Sequence, residues 1–530
     1  TVMRNLTSGS FTGRVMPVNP NHARVHGLLT AANVAALEQT PDLAVICSPP
    51  ASVADAVAAL GERGCKAAIV ITGGLSSFML PDGRSAAQAM LEAARPHLLR
   101  ILGPNCLGLI VPGIGLNASF AHTDALPGKL AFVSQSGALA TTILDWGKAR
   151  GIGFSCFISL GDSADVDFGD LLDYLGSDAN TNAILMYMES VKAARKFMSA
   201  ARAAARAKPV IVVKAGRNAE GARAAASHTG ALAGSDEIFD AALRRAGMLR
   251  VATTEELFNA AETLARVPPP KGRRLLIMTN GGGAAVLATD ALIAGGGELA
   301  ALPAATFAQL DQFLPRTWSH ANPVDIIGDA PVERYVRTLE LLAKDSDADA
   351  LLLMHAPTAI VPSEPIARAC IPAIKACGKP VLTVWLGAEA VRSSRALFAD
   401  NAIATYETPE EAVRAFLHLA EYRRSQELLL QTPPALVQGA RIDDLIRRAF
   451  LFYEVNATRE PGVDLTNQAV ETLRQVIEDA EPYLGGLLDE LHGKRRHGLP
   501  LSQDEQTDLQ FAENGWLALW RTQALIKEAA

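Results

Sequence analysis

Lys129-Leu-Ala-Phe-Val-Ser-Gln-Ser-Gly-Ala-Leu139 returns in altered form as Arg274-Leu-Leu-Ile-Met-Thr-Asn-Gly-Gly-Gly-Ala284. In both stretches a basic residue leads into an apolar run of strand length, then a turn of small or polar residues, then the opening of an alanine-rich helix. The correspondence continues outward. Gly161-Asp162 is matched by Gly328-Asp329, Ala183-Ile-Leu-Met-Tyr-Met-Glu189 by Ala350-Leu-Leu-Leu-Met-His-Ala356, and Lys208-Pro-Val by Lys379-Pro-Val, all in the same order. Short apolar runs that alternate with helices make a parallel, doubly wound sheet. The same series of units written twice predicts a diverged internal repeat. Residues 126–266 and 271–430 are therefore expected to form two flavodoxin-like domains, linked by Val267-Pro-Pro-Pro270.

Upstream, residues 1–125 read as a Rossmann-like domain. Residues 1–9 look like the end of a helix, with strands at Gly13–Pro20, 42–47, 67–72 and 99–102 and helices at 51–63 and 84–95. The strand that ordinarily opens such a domain is not in the sequence ahead of residue 1. Downstream of Thr432-Pro-Pro434 the character changes: residues 436–530 are helical in pattern, richer in charge and tryptophan, and are expected to form an all-α tail of about three helices broken at Gly485-Gly486 and between Gly493 and Pro500. Leu509, Ala512, Trp516, Leu519 and Ile526 recur there at helical spacing beside Trp520, a stripe expected to pack on the tail's own helices. Lys494-Arg495-Arg496-His497 reads as a solvated turn. The overall fold class is α/β with a helical tail.

A chain of 530 residues exceeds what one core serves and predicts three or four domains. The formal charge of −7 argues against a nucleic-acid surface. Its six cysteines show no CxxC pair or metal spacing, which points to a reducing cytoplasm and to no metal site. No apolar run reaches membrane-spanning length, so no membrane role is expected.

Four groups of residues carry chemistry. Ser227-His-Thr-Gly-Ala-Leu-Ala-Gly234 sets a histidine among small residues, between an apolar strand ending near Gly216 and a helix opening at Ser235-Asp236-Glu237. Such a ring is unshielded and can take a phosphoryl group and carry it between sites; the plain alternative is a surface loop with an incidental histidine. The turns Ser134-Gln135-Ser136-Gly137 and Asn280-Gly281-Gly282-Gly283 each lie between a strand and a helix, where unpaired backbone N–H groups and the helix dipole favour an anion. Glu189 closes an apolar strand at the sheet edge where α/β sites form, and a carboxylate there can fix the tautomer of an imidazole. Asn19-Pro20, Ser48-Pro49, Thr72-Gly73 and Asn105-Cys106 follow strands of the first domain and would rim the edge where a nucleotide-bearing cofactor binds. Cys106 is either a nucleophile or a buried turn thiol. Asp162, Asp165, Asp167 and Asp170 fit a cation loop poorly and suit solvated or helix-capping roles.

Val18-Asn-Pro20, Gly103-Pro-Asn-Cys106, Ser134-Gln-Ser-Gly-Ala138, Ser227-His-Thr-Gly230 and Asn322-Pro-Val-Asp-Ile-Ile-Gly-Asp329, in that order, resemble the NDP-forming acyl-CoA synthetases, a family related to succinyl-CoA synthetase. The resemblance covers residues 1–430 and corresponds to the family's α-type region. It implies coenzyme A binding on the first domain, phospho-His228 oriented by Glu189, and phosphate held by the two strand–turn–helix junctions. The implied reaction converts acyl-CoA, phosphate and ADP to a carboxylic acid, CoA and ATP through an acyl phosphate. It also implies an oligomer, in which ADP or ATP with Mg2+ is handled by an ATP-grasp part. That part is not recognisable in the sequence, and the residues after 435 are too few for it, so a β-type chain is expected to supply it. Two other departures are noted: the first strand with its phosphate turn, whose lack predicts weaker CoA binding, and Asp162 where the family often has Asn. The competing expectations are a non-catalytic acyl-CoA-binding scaffold and a truncated or chimeric product.

Overall fold

The computed structural model describes residues 1–218, 220, 221, 223, 236–344 and 347–431. Residues 1–431 make one compact unit. The expected tail, its apolar stripe and its basic turn lie outside the described residues.

The first part of the chain holds α1 (Val2–Ser8), β1 (Leu43–Ile46), α2 (Pro50–Glu62), β2 (Ala67–Val70), α3 (Ala86–Ala94) and β3 (Arg100–Leu102). The strands form a parallel sheet in the order β1-β2-β3. Val53, Val57 and Leu60 of α2 and Met90 of α3 pack on Ala68, Val70 and Ile101. The strand expected over Gly13–Pro20 does not form. Only Val18 makes a bridge, to Ala31, because Pro17 and Pro20 withhold the N–H groups a ladder needs.

The second part holds β4 (Gly108–Val111), β5 (Leu116–Ser119), β6 (Leu126–Ser134), α4 (Gly137–Ala149), β7 (Gly153–Ser159), α5 (Phe168–Ser177), β8 (Ala183–Met188), α6 (Ala194–Ala207), β9 (Val210–Lys214), α7 (Asp236–Arg245), β10 (Leu249–Val251) and α8 (Thr254–Arg266). The sheet runs β10-β9-β8-β6-β7-β4-β5. Its five parallel strands follow the flavodoxin order, 2-1-3-4-5. The antiparallel hairpin β4–β5 adds to the β7 edge, so the sheet is mixed rather than purely parallel. Both faces are covered. Leu172, Met186, Phe197 and Val212 lie in one core, and Phe132, Leu144, Leu185 and Phe258 in the other. Asp167 caps α5, and a reciprocal bond from Asp170 completes a capping box.

The third part repeats this plan with β11 (Arg274–Thr279), α9 (Gly282–Ala294), β12 (Glu298–Leu299), α10 (Ala304–Asp311), β13 (Val324–Asp325), α11 (Val332–Ala343), β14 (Ala350–His355), α12 (Ser363–Ala376), β15 (Val381–Trp385), α13 (Arg392–Asp400), β16 (Thr405–Tyr406) and α14 (Pro409–Leu430). The order β12-β11-β14-β15-β16 is again 2-1-3-4-5, with β13 pairing β11. The long α14 ties the two repeats together. Arg414 pairs with Glu256 at 2.8 Å, Glu421 with Arg244 at 3.2 Å, and Gln426 donates to the Gly247 carbonyl at 2.8 Å. No helix among the described residues is long and apolar enough to cross a membrane.

Candidate active site

Four connecting turns meet at the carboxyl edge of the second part's sheet. Ser134 ends β6, and its hydroxyl closes the turn on itself, donating to the Ser136 carbonyl at 2.8 Å and accepting from the Ser136 N–H at 3.1 Å. The Ser136 hydroxyl caps α4 by accepting from Leu139 N–H. The N–H of Gln135 is spent on the Tyr187 carbonyl. The donors left at the helix opening are Gly137 and Ala138, which have no intrahelical carbonyl to reach. Gln135 turns its side chain across the edge. Its Oε1 accepts from the N–H of Glu189 at 2.6 Å and of Ser190 at 3.0 Å. A residue within this strand–helix turn therefore fixes the backbone that carries Glu189.

The first domain's turn joins the same edge. Gly161 stands at φ +55°, and a Cβ there would lie 2.3 Å from the Pro104 carbonyl oxygen and 2.4 Å from that of Asn105. Only glycine lets the two turns approach so closely. Asp162 N–H donates to the Pro104 carbonyl at 2.9 Å, Asn105 Nδ2 to Asp162 Oδ1 at 3.1 Å, and Lys192 Nζ to the Asp162 carbonyl at 2.6 Å. Asp162 is thus held by neighbours on both sides. Asp165 binds Arg100, and Asp167 and Asp170 bind Lys196, so these acids fasten turns and helices. Among the described residues no cluster of three or more side chains could hold a metal.

At the first domain's own edge, Thr72 donates to the Ser48 carbonyl at 2.7 Å and Asn105 N–H donates to the Thr72 carbonyl at 3.0 Å. A Cβ on Gly73 would meet Asn105 Oδ1 at 2.9 Å. Ser48, Thr72, Gly73 and Asn105 thus form one rim, with Pro49 at the opening of α2. Among the described residues the buried Ser48 hydroxyl has no hydrogen-bond partner, nor has that of Ser163 beside Asp162. Orphaned polar atoms at a rim of this kind fit a polar ligand. Asn19 N–H donates to the Ala31 carbonyl, and its side chain accepts from the N–H groups of Asn21 and His22. Cys106 is turned inward. It is 2 % exposed, and burial pushes its thiol up to about 12, which favours the buried turn thiol.

The strand–turn–helix junction of the second repeat copies the first. The Thr279 hydroxyl donates to the Gly281 carbonyl at 3.3 Å and accepts from its N–H at 3.1 Å. The Asn280 amide bonds both the N–H and the carbonyl of Ala356. Gly281 gives α9 no side-chain cap, so the N–H groups of Gly282, Gly283 and Ala284 stay open at the helix start. The turn shares no hydrogen bond with the first among the described residues. Strand register aligns the repeats residue by residue. Tyr187 pairs with Ser134 as Met354 pairs with Thr279, so Ala356 stands where the first repeat has Glu189. His355, next to it, is buried between Tyr335 and Ser363, and burial pushes its imidazole down to about 4, leaving it neutral. His228 lies outside the described residues. β9 ends at Lys214 beside Met188, so the segment bearing His228 leaves the sheet one residue from Glu189's strand position. Ser163, Lys192 and Lys214 belong to this edge and were not expected from sequence.

Residues 127–264 match the succinyl-CoA ligase like flavodoxin domain, residues 1–112 a CoA binding domain, and residues 275–429 the ligase-CoA domain. The chain is 35% identical over 435 residues to the alpha subunit of ADP-forming acetate–CoA ligase I of Pyrococcus furiosus, covering 80% of this chain and 92% of that subunit. It is 36% identical over 450 residues to ADP-forming acetate–CoA ligase I of Archaeoglobus fulgidus, covering 84% of this chain but 64% of that longer protein. Among solved structures, the dinucleotide forming acetyl-coenzyme A synthetase 1 of Ca. Korarchaeum cryptofilum, in complex with phosphate and ADP, matches with a TM-score of 0.71 and 36% identity over 82% of this chain and 94% of that one.

Proposed function

Because the chain belongs to the ADP-forming acyl-CoA synthetases, relatives of succinyl-CoA ligase, we propose that it carries the α-type half of their reaction: acyl-CoA, phosphate and ADP to carboxylic acid, CoA and ATP. One observation carries this most: the cofactor-domain turn Gly103–Cys106 is hydrogen-bonded through Gly161–Asp162 to the edge that bears Gln135 and Glu189. A thioester held on the first domain would end at the first anion turn.

In this proposal Ser48, Thr72, Gly73 and Asn105 hold coenzyme A, with Pro49 at the opening of α2 and with Asn19, Pro20 and the Cys106 backbone farther along the rim. Gly137 and Ala138 present N–H groups to phosphate, with Ser134, Gln135 and Ser136 shaping the turn. Asn280, Gly281, Gly282 and Gly283 offer the second helix opening. Each opening contributes about 0.3–2 kcal/mol toward an anion. Phosphate attacks the thioester carbonyl, the carbon–sulfur bond breaks, and acyl phosphate and CoA form. A ring nitrogen of His228 then takes the phosphoryl group, the bond from phosphorus to the carboxyl oxygen breaks, and the carboxylic acid leaves. Glu189 accepts from the other ring nitrogen and keeps the attacking one free. The final transfer to ADP, with Mg2+, falls to an ATP-grasp chain acting in trans; the Pyrococcus relative's naming as an alpha subunit supports such a partner and an oligomer. The relatives' naming as acetate–CoA ligases supports a short carboxylic acid as substrate. Six unpaired cysteines support a reducing cytoplasm.

Titration calorimetry with CoA tests the cofactor half of this proposal. Saturable binding is expected, and no binding at millimolar CoA would contradict it. A second test concerns the tail. Because residues 1–431 form a unit of their own, truncation after Pro434 should leave phosphate transfer to the protein unchanged. A folded truncation that no longer accepts phosphate would show that the tail completes the site.

A further inference from the structure

Lys192 and Lys196 stand where the chain passes from β8 into α6, and they are used differently. Lys196 is neutralised: its Nζ pairs with Asp167 at 3.0 Å and with Asp170 at 2.5 Å. Among the described residues no carboxylate pairs with Lys192. Its Nζ instead donates to two backbone carbonyls of the neighbouring connection, Asp162 at 2.6 Å and Ser163 at 3.4 Å. A charge-assisted bond to a carbonyl is among the stronger ones a side chain makes. The connection it grips is the one that meets the first domain. The N–H groups of Asp162 and Ala164 donate to the carbonyls of Pro104 and Gly103, each at 2.9 Å, and Asn105 donates to the Asp162 carboxylate at 3.1 Å. Lys192 lines one small cleft with Gln135, Ser163 and Ser190, and the Ser190 backbone is itself fixed by Gln135. Lys192 therefore closes a hydrogen-bonded link from the first domain's turn to the turn that opens α4.

The internal repeat shows what the fold needs here when no other domain docks. Gly328-Asp329 repeats Gly161-Asp162, but its surroundings are open. Among the described residues, the nearest atom a Cβ on Gly328 would meet is the Asn280 carbonyl oxygen at 3.7 Å, against 2.3 Å to the Pro104 oxygen at Gly161. The second turn is held from its own helix, by Arg334 in the first turn of α11, which donates to Asp329 at 2.7 Å and to the Ile326 carbonyl at 3.0 Å. Lys192 is the fourth residue after β8, and the fourth after β14 is Ala359. The lysine is present in the copy whose Gly-Asp turn carries another domain, and alanine stands in the copy whose turn does not. A strand–helix connection of this fold does not call for the ammonium; the domain junction does.

We propose that Lys192 is a positioning residue for the thioester step, an ammonium that fastens the Asp162–Ser163 backbone and so holds the turn Gly103–Asn105 against the phosphate-facing edge. The inference rests on the reaction proposed above, in which a thioester on the first domain meets phosphate at the opening of α4. Its test is arsenate-driven release of CoA from acetyl-CoA. Arsenate attacks the thioester carbonyl in place of phosphate, the carbon–sulfur bond breaks, CoA leaves as the thiol, and water cleaves the acyl arsenate to acetate and arsenate. Lys192→Met keeps the stem and removes the donor. It should lower kcat for CoA release about tenfold or more, because a small misplacement of reacting groups is costly. The KM for acetyl-CoA and the Kd for CoA should stay within twofold, which also shows that the variant is folded. Lys192→Arg, whose guanidinium also donates to carbonyls, should restore kcat. Protein labelling by radiolabelled acetyl phosphate, which enters after the thioester step, should run at the wild-type rate in Lys192→Met. CoA release at the wild-type rate in Lys192→Met, a loss confined to KM or to CoA affinity, a Lys192→Arg variant as slow as Lys192→Met, or loss of acetyl phosphate labelling together with CoA release would each overturn the inference. A wild-type chain that releases no CoA with arsenate would instead overturn the proposed reaction itself.

Discussion

His228→Asn should abolish phosphoryl labelling of the protein while leaving CoA release from acyl-CoA intact. The carboxamide has a nitrogen near the imidazole's position but no lone pair basic enough to attack phosphorus, so the covalent step has no substitute. In the proposed reaction the first step uses the rim of the first domain and the N–H groups at the opening of α4 and needs no imidazole. The setting favours this assignment over an incidental histidine. The segment departs from Lys214 at the end of β9 and returns at Asp236 at the start of α7, both at the edge where Gln135 holds the Glu189 backbone. Undiminished labelling of the variant would place the phosphoryl acceptor elsewhere.

Glu189→Gln should slow labelling by on the order of 10²-fold, the scale of a lost acid–base partner. The substitution keeps size and backbone, so the Gln135 bonds to the N–H groups of residues 189 and 190 survive. It removes the charge that favours one tautomer and steadies the ring as it becomes cationic. Single-turnover labelling within twofold of the wild-type rate would contradict the role. The repeat supplies an internal control. Ala356 occupies the equivalent place on an otherwise copied turn, so the turn's architecture and the carboxylate are separable in this fold.

Much of this was legible in the sequence, for a local reason. A strand, a turn of small residues and a helix opening are contiguous, so both anion turns and the repeat could be read from Lys129–Leu139 and Arg274–Ala284. Glu189 was legible because it closes an apolar run. The β4–β5 hairpin was not, because its place is set by pairing with β7, where Leu109 meets Ile158 and Ile110 meets Phe157. The absent strand at Gly13–Pro20 could have been anticipated from Pro17 and Pro20. Sequence left Cys106 open between thiol roles; its burial is decided by Gly103 and Val70, which pack it inward. Ser163, Lys192 and Lys214 escaped notice because their meaning lies in contacts across three turns. The register that sets Lys192 against Ala359 becomes visible only once the strands are paired.

The central claim is that this chain takes a phosphoryl group from an acyl phosphate onto His228. Incubation with acetyl-CoA and radiolabelled phosphate, followed by stability tests and peptide mapping of the label, addresses it directly. The expected result is label on the protein that depends on acetyl-CoA, is lost in acid, survives base, and maps to the peptide containing Ser227-His228-Thr229-Gly230. No label, acid-stable label, or label on any other peptide would contradict it.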